Sequence, residues 1–296
     1  MNSPEQPQKK SSPNTSNHNG IYVHIYQKVM TGEVNLPSFP DVTLKVRKAI
    51  RNPNINIKAI AKIIHTDPPL TARIIQFSNG PLFRTHVKSA NLQDAIRRLG
   101  FQATKNIVYS YSLRALFQGR TATLRSVTSE LWEQSTRVGA ISSIIANHCS
   151  GVSPDKALLA GLLHDIGSLP LLAEISKHPK LAKNRPAINQ ILNVYSGKVG
   201  VMLLTQWDFE ESLIEVLRNR NNWLRDTGKK IDLSDVVTLA RLHSFVGTDN
   251  MKTCPRINEI PAFKNLSSNN LTPEFSLNII EEAKDELDDI EKMLGH

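Results

Sequence analysis

At 296 residues the chain can hold one large or two modest domains, and 40% apolar with 21% charged residues is the composition of a soluble globular protein. No run of eighteen apolar residues occurs, which argues against a membrane-crossing helix, and two cysteines, Cys149 and Cys254, are too few for a disulfide framework or a zinc motif. They read as reduced thiols of a cytoplasmic protein. The net charge of +9 hides an asymmetry: residues 1–120 carry 17 Lys or Arg against 5 Asp or Glu, and residues 121–296 carry 19 against 22.

Residues 1–20 are rich in Ser, Asn, Pro, Gln and Lys and lack the apolar stretch of a signal sequence; they read as a disordered tail. Nearly every later segment has the helical period. A short leading helix is expected at 21–30, where the alternation of Ile21, Val23 and Ile25 lets a strand compete. Leu36, Pro37 and Pro40 make a stiff extended entry to a helix from 41 to about 51. Helices at 55–64 and 70–77 follow, the second capped by Asp67, then 91–99 closed by Gly100, and 102–117. The basic residues of this first part, among them Lys45, Arg47, Lys48, Arg51, Arg97 and Arg98, form no compact run and have few aromatic neighbours. Base stacking is poorly provided for, so a solvated helical face or an acidic partner is favoured over nucleic acid.

After a polar break at 118–123 the helices lengthen: 126–149, then 154 up to the HD pair, 171–175, 188–207, 212–223 and 233–246. Residues 255–269 read as a loop, and 275–294 as an amphipathic helix; residues 271–296 carry eight acidic against two basic side chains. That helix could lie against the basic first half or against a partner.

The chemistry concentrates in Leu163-His164-Asp165-Ile166-Gly167. An imidazole and a carboxylate can both ligate a divalent metal, but neighbours on a helix point about 100° apart. Two ligands are also too few, since a metal that activates water needs three or four protein donors. The alternative is a buried, hydrogen-bonded core histidine. Ser153 is a cap candidate, Pro154 suits the first turn, and Gly167 stands where a helix-ending glycine belongs. Ala157, Ala160, Gly161 and His164 share a face, so a small-residue stripe leads to the histidine and would admit a neighbouring helix closely.

Taken in order, Leu36-Pro37 with Pro40, Ile64 through Asp67-Pro68 to Asn79-Gly80, Ala95-Ile96 with Leu99-Gly100, Trp132 with Ser135, and Gly161 to Gly167 resemble the HDOD family, the HD-related output domain of bacterial signalling proteins. The resemblance covers residues 30–245 and departs from the family pattern mildly at Asn79-Gly80. It implies an all-α, multi-helical fold. An N-terminal helical half, 30–120, would pack on an HD-like half, 121–245, with 246–296 forming a loop and an acidic helix. It also implies a regulatory role, normally without known enzymatic activity.

The same comparison implies where further metal ligands would stand in an active HD phosphohydrolase. Gln134 occupies the place of a first histidine, just ahead of Ser135-Thr136-Arg137-Val138-Gly139, and Arg241 the place of a closing aspartate in Val236-Val237-Thr238-Leu239-Ala240-Arg241. The segment 216–221 offers Arg218 and Arg220 where some relatives carry histidines, and His178 and His243 match no ligand position. A guanidinium at Arg241 would repel a divalent cation and pair with Asp165 instead. On that reading, Arg241→Ala would cost roughly 3 to 5 kcal/mol.

Three functions follow. The first is a non-catalytic signalling domain that binds another protein, with a degenerate pocket of Gln134, His164, Asp165 and Arg241 and no cofactor. The second is a metal-dependent phosphohydrolase acting on nucleotides or cyclic dinucleotides. The third is a sensor whose arginine-lined pocket binds a phosphorylated small molecule without turning it over.

Overall fold

The computed structural model describes residues 20, 23–24, 27–28, 31, 38–83, 87–117, 124–228, 230–267, 281 and 284–294. The expected tail before Gly20, the entry at positions 36 and 37, the polar break at 118–123 and the start of the last helix at 275–280 lie outside them. Among the described residues every regular element is a helix, in agreement with the all-α reading. Of the segment 21–30, residues 23–24 and 27–28 are described and are helical; Ile21 and Ile25, on which the competing strand depends, lie outside the described residues.

The first half comprises α1 (Asp41–Ile50), α2 (Ile57–Ile64), α3 (Pro68–Asn79) and α4 (Leu92–Leu116). Their starts follow from local chemistry. Asn56, Asp67 and Asn91 each accept a backbone N–H of the first turn with their side-chain oxygen, at 2.9 to 3.0 Å. Gly100 breaks α4 at φ 74° and ψ 172°, a conformation only glycine adopts without strain, so the two helices expected on either side of it meet end to end. Val46, Ile60, Ile64, Leu70, Ile74 and Ile96 are fully buried between these helices.

The second half comprises α5 (Arg125–Asn147), α6 (Pro154–Leu163), α7 (Ser168–Ile175), the single turn α8 (Pro179–Ala182), α9 (Arg185–Gln206), α10 (Glu211–Arg218) and α11 (Leu233–Ser244). The α5–α6 pair is the centre of the molecule. A Cβ added to Gly161 would sit 2.5 Å from the Cα of Gly139, so the two backbones touch through two glycines, as the small-residue stripe predicts. One apolar core runs from Phe39 through α5, α6 and α11 to Leu294. A smaller one joins the start of α5 to α7, α8 and α9. The stretch Pro154–Ile175, which spans α6, the HD turn and α7, is by length and composition alone apolar enough to cross a membrane, but 94% of its most apolar eighteen-residue window is buried inside the protein, where it serves as the core.

Three expectations are corrected. The segment 255–269 contains α12 (Pro261–Ser267), opened by Pro261 and anchored by buried Ala262, Phe263 and Leu266. Helix α10 ends at Arg218 rather than near 223, because Asn219 turns its side chain back onto the Glu215 carbonyl, at 2.9 Å, and the chain continues as turns. Ser153 precedes α6 but its side chain makes no capping bond. The described part of the acidic helix is α13 (Lys284–Leu294). It buries Leu287, Ile290, Met293 and Leu294 against α3, α4 and α5, so it touches both halves rather than the basic one alone.

Candidate functional site

The HD pair closes α6. His164 and Asp165 lie in a tight turn between α6 and α7, and both are buried, with 1% and 6% of their surface exposed. That turn is pressed against α9. A Cβ on Gly167 would lie 2.0 Å from the carbonyl oxygen of Ser196 and 2.4 Å from the amide nitrogen of Gly200. Gly167 has φ −65°, an ordinary right-handed value, so it opens α7 without the left-handed geometry of a helix-ending glycine. Space, not conformation, demands glycine here.

The close approach of α9 brings Ser196 to the acid: its hydroxyl donates to Asp165 Oδ1 at 3.0 Å. The main partner of Asp165 is Arg220. Its Nε donates to Oδ1 at 2.5 Å and its Nη2 to Oδ2 at 2.9 Å, a two-point grip with both side chains at most 9% exposed. Because α10 stops at Arg218, the following turn carries Arg220 across to the HD turn. His164 is oriented from behind by its own helix, with Nδ1 2.6 Å from the Gly161 carbonyl oxygen, and its Nε2 lies 3.6 Å from Asp165 Oδ2.

Arg241 is buried on α11, with 5% of its surface exposed. Its guanidinium carbon stands 4.9 Å over the Trp223 ring and 5.9 Å from the centre of the Phe245 ring, and Nη1 donates to the Arg220 carbonyl. No ion pair joins it to Asp165, so the expected Asp165–Arg241 bridge is replaced by Asp165–Arg220. Gln134 on α5 donates from Nε2 to the Ser244 hydroxyl at 2.7 Å and so ties α5 to α11. Arg218 lies outside the cluster, bonded to Glu211 and Glu215 on its own helix, and His178 sits beside Glu174 and is not among the cleft residues. His243 is buried on α11 and is not among the cleft residues.

Gln134, His164, Asp165, Arg220, Trp223 and Arg241 line one open cleft of about 740 Å³. Ser196 and Trp223 are the residues that local sequence reading passes over. Ser196-Gly197 followed by Gly200 is a small-residue stripe like the one on α6, and that pattern was the available signal.

The HDOD domain model of known families matches residues 36–223. The chain belongs to the HDOD domain family. This HDOD domain is similar to a crystal structure from Shewanella amazonensis SB2B, provisionally named a metal-dependent phosphohydrolase. The two share 24% identity over 95% of this chain and 100% of the other, with a TM-score of 0.77. It is also similar to an HDOD domain protein of unknown function from Geobacter sulfurreducens, at 19% identity over 93% and 98% of the two chains and a TM-score of 0.63. At this identity the likeness establishes the fold. A relative named only as an uncharacterized protein, from Treponema pallidum (strain Nichols), is 23% identical over 205 residues and 64% of this chain. The chain spans 38% of that relative's length.

Electrostatics separates the buried groups of the HDOD cleft. Burial alone would push the Asp165 carboxyl up, but the Arg220 guanidinium, aided by His164 and Arg241, holds it well below its ordinary value. Burial pushes His164 down to about 4, reinforced by both arginines and opposed by Asp165. Burial and the nearby Arg220 push Arg241 down to about 9, which leaves it charged at neutral pH. His243 is lowered by burial to about 4. Both histidines are therefore neutral in the fold at pH 7, whereas in the unfolded chain they titrate near 6.5. A depressed folded value means that the unfolded state binds more protons below pH 6.5, so stability is complete above that pH and falls as pH drops towards about 4. Denaturation midpoints from pH 8 to pH 4 should decline mainly below 6.5, and the decline should shrink in the variant His243→Leu. A midpoint flat to pH 4.5 would contradict the neutral, buried state of these rings.

Proposed function

We propose that this HDOD domain is a non-catalytic regulatory module that acts by contact with another protein, and that its HD pocket does not hold a metal. The observation that carries this reading is the two-point bond from Arg220 to Asp165. A catalytic divalent ion needs three or four protein donors and one open position. Here the carboxylate already accepts from a guanidinium on both oxygens, and Ser196 adds a third bond. The imidazole offers Nε2 alone, since Nδ1 faces the Gly161 carbonyl. Gln134 contributes an amide, a weak ligand beside imidazole. The Arg220 guanidinium on the acid, with the charge of Arg241 felt there as well, would further repel a divalent cation. The donor set does not fit the metal that HD hydrolases use.

In this reading the buried ion pair has a structural role: it clamps the HD turn, α9 and the segment after α10 together, and the helical surfaces are left for recognition. The basic first half suits an acidic face on a signalling partner. The test is elemental analysis of protein purified without chelator, followed by melting curves with added manganese, iron(II) and magnesium. The expected result is well under one tenth of an equivalent of any of these metals and no rise in Tm. A stoichiometric transition metal that is lost together with a phosphatase activity in the His164→Ala variant would overturn the proposal.

A further inference from the structure

The cleft carries one more guanidinium than its carboxylates can neutralise. Its lining carboxylates are Glu130 and Asp165, and its lining Lys and Arg residues are Arg185, Arg220 and Arg241. Arg185 bonds Glu130, and Arg220 bonds Asp165. His164 adds no charge at neutral pH. Arg241 is left without a carboxylate within ion-pair distance among the described residues, although 95% of its surface is buried. Its Nε–H also has no acceptor there. Buried cations are ordinarily paired, and one that lines a cleft without a counter-charge is half of an anion site.

We propose that the cleft binds a phosphate monoester without hydrolysing it, with the phosphoryl group drawn to Arg241 beside Trp223. The inference rests on the reading above that no metal occupies the pocket. Phosphate is favoured over a carboxylate because a monoester brings close to two negative charges at neutral pH and several acceptor oxygens. Arg241 can meet it with its planar fork, and Arg185, with 42% of its side chain exposed, can turn from Glu130 to join. A cleft of about 740 Å³ is larger than an inorganic anion, so the ligand has a body. Gln134, Asn189, Gln190, Asn193 and Asn221 line the cleft and supply amides that both donate and accept, which suits a hydroxyl-bearing or heterocyclic body over an apolar chain.

The experiment uses the full chain, with chelator, at constant ionic strength. Inorganic phosphate, glucose 6-phosphate and a nucleoside 5′-monophosphate are titrated, with succinate as the carboxylate arm. Two readouts are followed: the Tm and tryptophan emission, which responds because Trp223 lies under Arg241. The expected result is a saturable rise of a few degrees with at least one phosphate ester. That ester should also change the emission, and the change should be lost in Trp223→Phe. Arg241→Gln should weaken binding on the order of tenfold or more. Should Arg241→Gln fail to fold, the emission arm decides by itself, with a saturable change confined to chains that retain Trp223 supporting the site. No saturable response to any phosphate, a response to succinate alone, or unaltered affinity in Arg241→Gln overturns the inference. Phosphate release from an ester after manganese is added would instead overturn the non-catalytic reading and leave the binding site standing.

Discussion

Replacing Arg220 with alanine is expected to cost roughly 3 to 5 kcal/mol of folding free energy, the usual result of breaking a buried pair by removing one partner. Among the described residues Asp165 would keep the Ser196 hydroxyl as its one side-chain hydrogen-bond donor, in a place where 6% of its surface is exposed. The comparison with Arg241→Ala makes the prediction specific. Among the described residues Arg241 has no carboxylate within ion-pair distance, so its loss strands no paired charge, and removal of its unpaired Nε–H offsets part of the lost contact with Trp223. Arg220→Ala should therefore destabilise clearly more than Arg241→Ala, as read from chemical-denaturation midpoints. The opposite order would mean that Arg241 is the true partner of the acid.

The pH dependence of Arg220→Ala gives a second check. In the native chain the Asp165 carboxyl is depressed, so its contribution is complete above about pH 4 and is lost as pH falls below that. Without the guanidinium, burial dominates and the carboxyl rises above its ordinary value. The variant should then recover part of its deficit as pH is lowered from 7 towards 5, because protonation removes the stranded charge.

The second large effect is expected at Gly167. In Gly167→Ala the new methyl would meet the Ser196 carbonyl and the Gly200 amide, both backbone atoms of α9, at separations that no side-chain rotation can relieve. Overpacking in a core usually costs about 1 to 3 kcal/mol, and a clash with rigid backbone on both sides should exceed that, at about 4 kcal/mol or failure to fold. Gly80→Ala is the matched control. Its methyl would face the flexible end of Met293, with Cε at 3.0 Å, and φ −80° suits alanine, so a change below about 1 kcal/mol is expected. Equal melting temperatures for the two variants would refute the close contact between the HD turn and α9.

Most of the helical architecture was legible because its signals are local. Asp67 with Pro68, Asn91 before Leu92, and Gly100 between two apolar runs act through bonds and dihedral angles within a few residues of themselves. The stripe of Ala157, Ala160 and Gly161 likewise points to a close neighbouring helix, and the structure shows that it is α5. The errors fall where neighbours far along the chain decide. Helix α12 is held by Ala262, Phe263 and Leu266, whose burial in the main core a loop-like composition conceals. Gly167, expected to end the helix that carries the HD pair, instead opens α7, and its need is for space against α9.

The sequence by itself determined that this is an all-helical chain, where most of its helices begin and end, and that a histidine and an aspartate sit together where one helix closes. Only the tertiary structure decided which cation holds that aspartate. Arg220 and Arg241 are both arginines near the expected place, and nothing local to either distinguishes them. The choice is made by the early end of α10, which swings Arg220 onto Asp165, and by the aromatic bed of Trp223 and Phe245, which holds Arg241 apart. An ion pair depends on distances of a few ångströms between segments 55 residues apart, and those distances exist only once the core has set the helices in place.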